Sequence, residues 1–154
     1  MIKLKSGKLS QKDKKIIEEI LDSVIDIYGD GYITKQNLRL YIKQNKDVLF
    51  NSLQKGDRIA FNENGLILLY GKADKSPRTY IKVLTKDEDT ANKLLKVLSW
   101  NIKEDLYAKI KKTNPLKEIL EKNGFHWVAS RGKECLLCRK YINSSLGQNE
   151  RIGK

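Results

Sequence analysis

Apolar residues recur at helical spacing near the start of this chain, alternate with polar ones in its middle, and switch between the two periods twice more before the end. Ile17, Ile20, Leu21, Val24 and Tyr28 follow Ser10 and Asp13, a weak capping pair, and predict a helix over 11–28. Thr34 caps a second helix carrying Leu38, Tyr41 and Ile42, and Asp47 a short third one with Val48, Leu49, Phe50 and Leu53, stopped by Gly56. Strands are then expected at 58–61 and 66–70, flanking Asn62-Glu63-Asn64-Gly65, whose final Asn-Gly signals a hairpin. After a loop with Gly71 and Pro77 come a strand at 78–84, a helix at 88–100 and a strand at 105–113. Pro115 opens a helix over 115–122 with Leu116, Ile119 and Leu120 as its apolar face, Asn123-Gly124 supplies a left-handed stop, and a hairpin over 126–140 closes the pattern.

This order predicts an α/β (α+β) fold with a mixed central sheet. Strands 78–84 and 105–113 run parallel because a crossover helix separates them. At 154 residues the chain has the length of one domain, read as a helical N-terminal part (1–57), a core (58–141) and a flexible tail (142–154). No apolar stretch approaches the roughly 18 residues of a membrane span, and Met1 to Lys8 lacks the apolar run of a signal peptide. The expectation is a soluble protein, cytoplasmic or virion-associated, with no membrane partner and no recognisable secretion signal.

Candidate metal and redox chemistry is thin. Cys135 and Cys138 are the only cysteines and His126 the only histidine, so a four-ligand zinc site would need carboxylates as well. Their spacing of three within a strand sends the two cysteines to opposite faces, which favours two reduced structural thiols over redox or metal chemistry. Asp26 to Asn37 places Asp26, Asp30, Gly31 and Ile33 where an EF-hand loop wants them, but Tyr28 and Asn37 remove two ligands, leaving a turn. No metal is expected, and His126 reads as a structural or surface residue.

The string Leu120-Glu121-Lys122-Asn123-Gly124-Phe125, a helix end leading into the last strands, resembles the Tyr-Glu-Lys-x-Gly-Phe-like end of the GCN5-related N-acetyltransferase (GNAT) superfamily. That resemblance implies that acetyl-CoA lies where the central strand splays from its parallel neighbour, its pyrophosphate at the start of the following helix. The family's Arg/Gln-x-x-Gly-x-Gly/Ala string corresponds here to Lys86-Asp87-Glu88-Asp89-Thr90-Ala91, of which Lys86 and Ala91 match as cofactor-binding positions. Asp89 replaces the first glycine, three carboxylates crowd an anion site, and Thr85 with Glu88 forms a capping box that would satisfy the helix start. The family's tyrosine falls on Leu120, and 78–84 holds no carboxylate base; Tyr107 or His126 would substitute only through another geometry. The sequence therefore implies a degenerate member with no cofactor and no catalytic residue. The alternative is a divergent acyl-CoA-dependent N-acetyltransferase, which would use acetyl-CoA.

Charge supplies a second candidate site. With 31 Lys and Arg against 19 Asp and Glu, the formal net charge is +12, which attracts polyanions, although an AT-rich genome would also enrich lysine. Alternation places Arg78, Tyr80 and Lys82 on one face of their strand, and Tyr107, Lys109 and Lys111 on one face of theirs. If the strands are neighbours, these six form a surface with cations for phosphates and rings for bases. The expected role is a basic binding or structural module on nucleic acid or another polyanion, or a protein partner's subunit in a nucleoprotein, viral or mobile-element assembly.

Overall fold

A computed structural model describes residues 2–23 and 38–141. In chain order its elements are β1 (Lys3–Ser6), α1 (Gln11–Ser23), α2 (Leu38–Gln54), β2 (Arg58–Asn62), β3 (Gly65–Tyr70), β4 (Thr79–Thr85), α3 (Glu88–Asn101), β5 (Leu106–Lys111), α4 (Leu116–Lys122), β6 (His126–Arg131) and β7 (Glu134–Arg139). The strands form one seven-stranded sheet in the order β1-β2-β3-β4-β5-β7-β6. β4 and β5 are parallel, as the crossover through α3 requires; the other neighbouring strands pair antiparallel.

Two apolar layers cover the sheet. On one face Ala91, Leu94, Leu95 and Leu98 of α3 and Leu116, Ile119 and Leu120 of α4 pack on Ile67, Ile81, Val83, Leu106, Ala108 and Ile110. On the other, Ile17, Ile20 and Leu21 of α1 and Leu49 and Leu53 of α2 cover Ile59, Phe61, Leu66, Leu68 and Leu84. Each large side chain so buried contributes about 1.5–3 kcal/mol. The second layer centres on β2 and β3, and among the described residues no side chain of β5, β6 or β7 belongs to it.

Several expectations change at this level. The basic lead-in contributes strand β1, whose Lys3 pairs with Phe61 and whose Lys3 Nζ lies 2.8 Å from buried Asp13 on α1. Ser10 caps that helix as expected, its Oγ accepting the Asp13 N–H at 3.0 Å. The second and third helices are one continuous helix, α2, running through Asp47. No glycine or proline interrupts it, and an aspartate inside a helix costs less than about 0.7 kcal/mol, too little to break one packed by Leu49 and Leu53. The EF-hand-like stretch 26–37, the Thr34 cap, the end of the first helix and the tail 142–154 lie outside the described residues. No helix among the described residues is long and apolar enough to cross a membrane.

Candidate active site

β4 and β5 are partners at only two positions, Thr79 with Leu106 and Tyr80 with Tyr107. β4 then continues to Thr85, still paired on its other side with β3 as far as Gly65, while β5 continues to Lys111 paired with β7. The two strands thus form a V, closed at their starts and open toward their ends. Beyond the last pair, the facing backbone edges have no strand partner in each other, and such groups demand another hydrogen-bonding partner.

A polar clamp holds the closed end. The Glu104 carboxylate accepts from Arg58 Nη2 at 2.6 Å, tying the segment before β5 to β2, and also accepts from the Thr79 hydroxyl at the start of β4. Burial alone would raise the Glu104 carboxyl, but hydrogen bonds from Arg58 and Thr79 outweigh it and hold the group below its ordinary range.

At the open end α3 begins. Asp87 is its N-cap, with extended backbone, and its Oδ1 accepts the Thr90 N–H at 2.7 Å. The capping role thus falls on Asp87 with Thr90 rather than on the expected Thr85 with Glu88, while Thr85 Oγ1 donates to the Asp87 carbonyl at 3.0 Å. Hydrogen bonds from the Thr90 hydroxyl and N–H keep the Asp87 carboxyl below its usual range, so it is ionised at neutral pH. The other two carboxylates turn to lysines: Asp89 pairs with Lys93 at 2.9 Å, and Glu88 with Lys122 on α4 at 3.6 Å. Geometrically, the first-turn N–H groups of Glu88 and Asp89 have no carbonyl four residues back within the helix.

The expected cofactor positions fare differently. Lys86 is exposed beside this helix start, its N–H bonded to the Asn64 carbonyl at 2.8 Å. Ala91 is wholly buried against the core, where its small side chain permits close packing of α3 on the sheet. Leu120, at the position of the family's tyrosine, is also wholly buried among α3 and α4 side chains.

Four of the six residues of the predicted basic face, Arg78, Tyr80, Tyr107 and Lys109, come together on the side away from α3. Tyr70 and Tyr80 stack with ring centres 5.6 Å apart, Tyr80 and Tyr107 stand at 6.1 Å, and Arg78 lies over Tyr107 at 4.6 Å. Lys109 crosses in the other direction to lie 4.5 Å over Tyr80; Lys82 and Lys111 are half-buried farther along the same face. Beside this cluster a groove of about 280 Å³ runs from Arg78, Tyr80 and Lys109 to Arg131, Glu134 and Leu136 of the β6–β7 hairpin. Tyr107 faces Cys138 of β7 in register, and interaction with that thiol, followed by burial, holds its phenol above the usual range. His126 lies on β6 with β7 between it and β5, and lines a different groove with Arg139 and Tyr141.

Cys135 and Cys138 are both buried and on opposite faces, with Cys135 packed in the α3–α4 core, where burial raises its thiol. Glu104, Arg131 and Glu134 were not singled out by the sequence. Arg131 and Glu134 flank a turn that looks like any charged hairpin tip, and only the sheet order brings that tip beside β5.

No protein-family model and no curated protein matches the chain. Solved structures do. The chain is similar to PaiA N-acetyltransferase from Thermoplasma acidophilum in complex with coenzyme A, at 17% identity and TM-score 0.63, covering 92% of this chain and 99% of that one. It is similar also to an N-acetyltransferase from Staphylococcus aureus Mu50, at 17% identity and TM-score 0.59 over 93% and 99% of the two chains. A spermidine N-acetyltransferase SpeG chimera from Vibrio cholerae and hSSAT aligns at 14% identity and TM-score 0.55, over 91% of this chain and 96% of its own.

Proposed function

We propose that this chain, which has the fold of the GNAT acetyltransferases, is an acyl-CoA-dependent N-acyltransferase that holds its thioester in the V between β4 and β5. The carrying observation is the end of β4–β5 pairing at Tyr80 and Tyr107 while both strands run on. A pantetheine arm bears amides that suit the free edge of β4 from Ile81 to Thr85. The start of α3, with the Glu88 and Asp89 N–H groups and exposed Lys86, lies at the mouth where a pyrophosphate would sit. Asp87 makes this a poorer anion site than a glycine turn, since it has already taken the Thr90 N–H and carries charge. The fit is good for the arm and weaker for the phosphates.

Acetyl-CoA supplies an activated acyl group: an amine nitrogen forms a C–N bond to the carbonyl carbon as the C–S bond breaks, the amine losing a proton and the thiolate gaining one. Tyr107, a neutral phenol at the closed end of the V, is the candidate proton donor, a role that buried Leu120 cannot fill. Arg78 over its ring orients it.

This reading is supported over a nucleic-acid module by the state of the rings. Tyr70, Tyr80 and Tyr107 already lie against one another or beneath Arg78 and Lys109, which takes up faces that bases would need. The test is calorimetric titration with acetyl-CoA, then release of free thiol from it in the presence of amines. Saturable binding with amine-dependent thiol release supports the proposal; absence of any binding at millimolar acetyl-CoA overturns it.

A further inference from the structure

We propose that the acceptor is a small amine bearing a carboxylate or phosphate, docked by that anion in the groove between Arg78, Lys109 and Arg131. This rests on the acyl-transfer reading. The start of α3 and the anion end of the V belong to one face of the sheet, and the tyrosine cluster opens on the other. A second substrate approaching the closed end of the V therefore comes from the groove side, where among the described residues no α1 or α2 side chain of the second apolar layer covers β5.

Charge decides what that substrate carries. Among the described residues none of Arg78, Lys109 and Arg131 has a carboxylate within ion-pair distance, while eight ion pairs form elsewhere. Arg78 and Lys109 are held instead over tyrosine rings, which fixes cations in place without neutralising them. Glu134 is the one carboxylate in the lining, so the groove keeps an excess of positive charge. A planar guanidinium and an ammonium on its walls suit bidentate capture of an oxyanion. The same cations disfavour an amine's protonated form, which leaves it the free nitrogen lone pair that attack requires. A polyamine would meet net repulsion along this wall, with Glu134 its one opposing charge. The volume of about 280 Å³ fits a molecule of amino-acid size.

The experiment compares matched amines. O-phosphoethanolamine against ethanolamine, and L-glutamate against L-glutamine, are titrated calorimetrically, with putrescine as the cationic member and a short single-stranded oligonucleotide as the polyanion. The same amines are then offered with acetyl-CoA and thiol release is followed. The expected result is at least tenfold tighter binding for the anionic member of one pair, phosphate or carboxylate, lost in Lys109→Gln with Arg131→Gln, two exposed positions. Equal affinities within both pairs, preference for putrescine, no binding of any amine, or an oligonucleotide binding more tightly than every small anion would each overturn it. An anion preference without thiol release leaves the anion site standing and removes acyl transfer; thiol release fastest with putrescine does the reverse.

Discussion

Tyr80 and Tyr107 form the last rung of the β4–β5 ladder, and their rings stand 6.1 Å apart at an interplanar angle of 55° on the face away from α3. One residue pair thus closes the V and supplies the aromatic wall beside it. Removing the Tyr107 hydroxyl while keeping the ring separates these roles. Tyr107→Phe should lower kcat for thiol release by about 10²-fold or more with little change in KM, the range for a lost proton donor. Unchanged kcat would assign the proton to water or another group.

The Glu104 clamp predicts a pH-dependent stability. Its carboxyl lies below its ordinary value of 4.5, so its contribution is complete above that value and fades as pH falls through the lowered one. Glu104→Gln should therefore cost about 1–2 kcal/mol at pH 7, discounted for partial exposure, and the gap from the native chain should close in acid. Urea unfolding of both proteins at pH 7 and pH 3 measures this, and a gap of equal size at both pH values would deny the ion pair its role.

The acidic start of α3 makes a graded prediction. Asp87 is an ionised cap where the proposed pyrophosphate would sit, whereas Asp89 is turned to Lys93. Asp87→Ser keeps a capping oxygen without the charge and should tighten acetyl-CoA several-fold, while Asp89→Gly should change it little. Calorimetry on the two variants decides; the reverse order would place the phosphates nearer Asp89.

Gly65 lies where no larger residue fits. A Cβ there would come within 2.6 Å of Thr85 Cγ2 and 2.8 Å of Thr85 Cα on the neighbouring strand. Gly65→Ala should cost about 1–3 kcal/mol by chemical unfolding, and adding Thr85→Ala should restore only part, since the backbone contact persists. Full restoration would mean the methyl alone was responsible.

The hairpin at Gly65 forms where the sequence predicts it, but for another physical reason. Asn-Gly predicted the turn, but Gly65 pairs with Asn62 as a strand residue and is absent from the positive-φ glycines; the Asn62 carboxamide oxygen accepts the Asn64 N–H at 2.8 Å and shapes the turn. Close approach to Thr85, invisible along the chain, is what demands glycine.

Local periodicity and punctuation determined most of the elements. Alternation through Thr79 to Thr85 and Leu106 to Lys111, the 3.6-residue repeat of Leu94, Leu95 and Leu98, and the left-handed Gly124 each depend on a few neighbours. They also put the six residues of the basic face on shared strand faces. Tertiary structure alone decided where pairing stops. A strand's sequence records which way its side chains point, but not how far its edge stays within hydrogen-bonding distance of another strand; here Glu104 clamps the closed end through Arg58 and Thr79, and each strand beyond it follows its other partner, β3 or β7. The same holds for the three carboxylates before Thr90, whose directions were set by Lys93, Lys122 and the helix cap. β1 needed the edge of β2 to become a strand, and Arg131 needed β7 inserted beside β5 to face Lys109 across a groove, because pairing between distant segments is a property of the closed sheet.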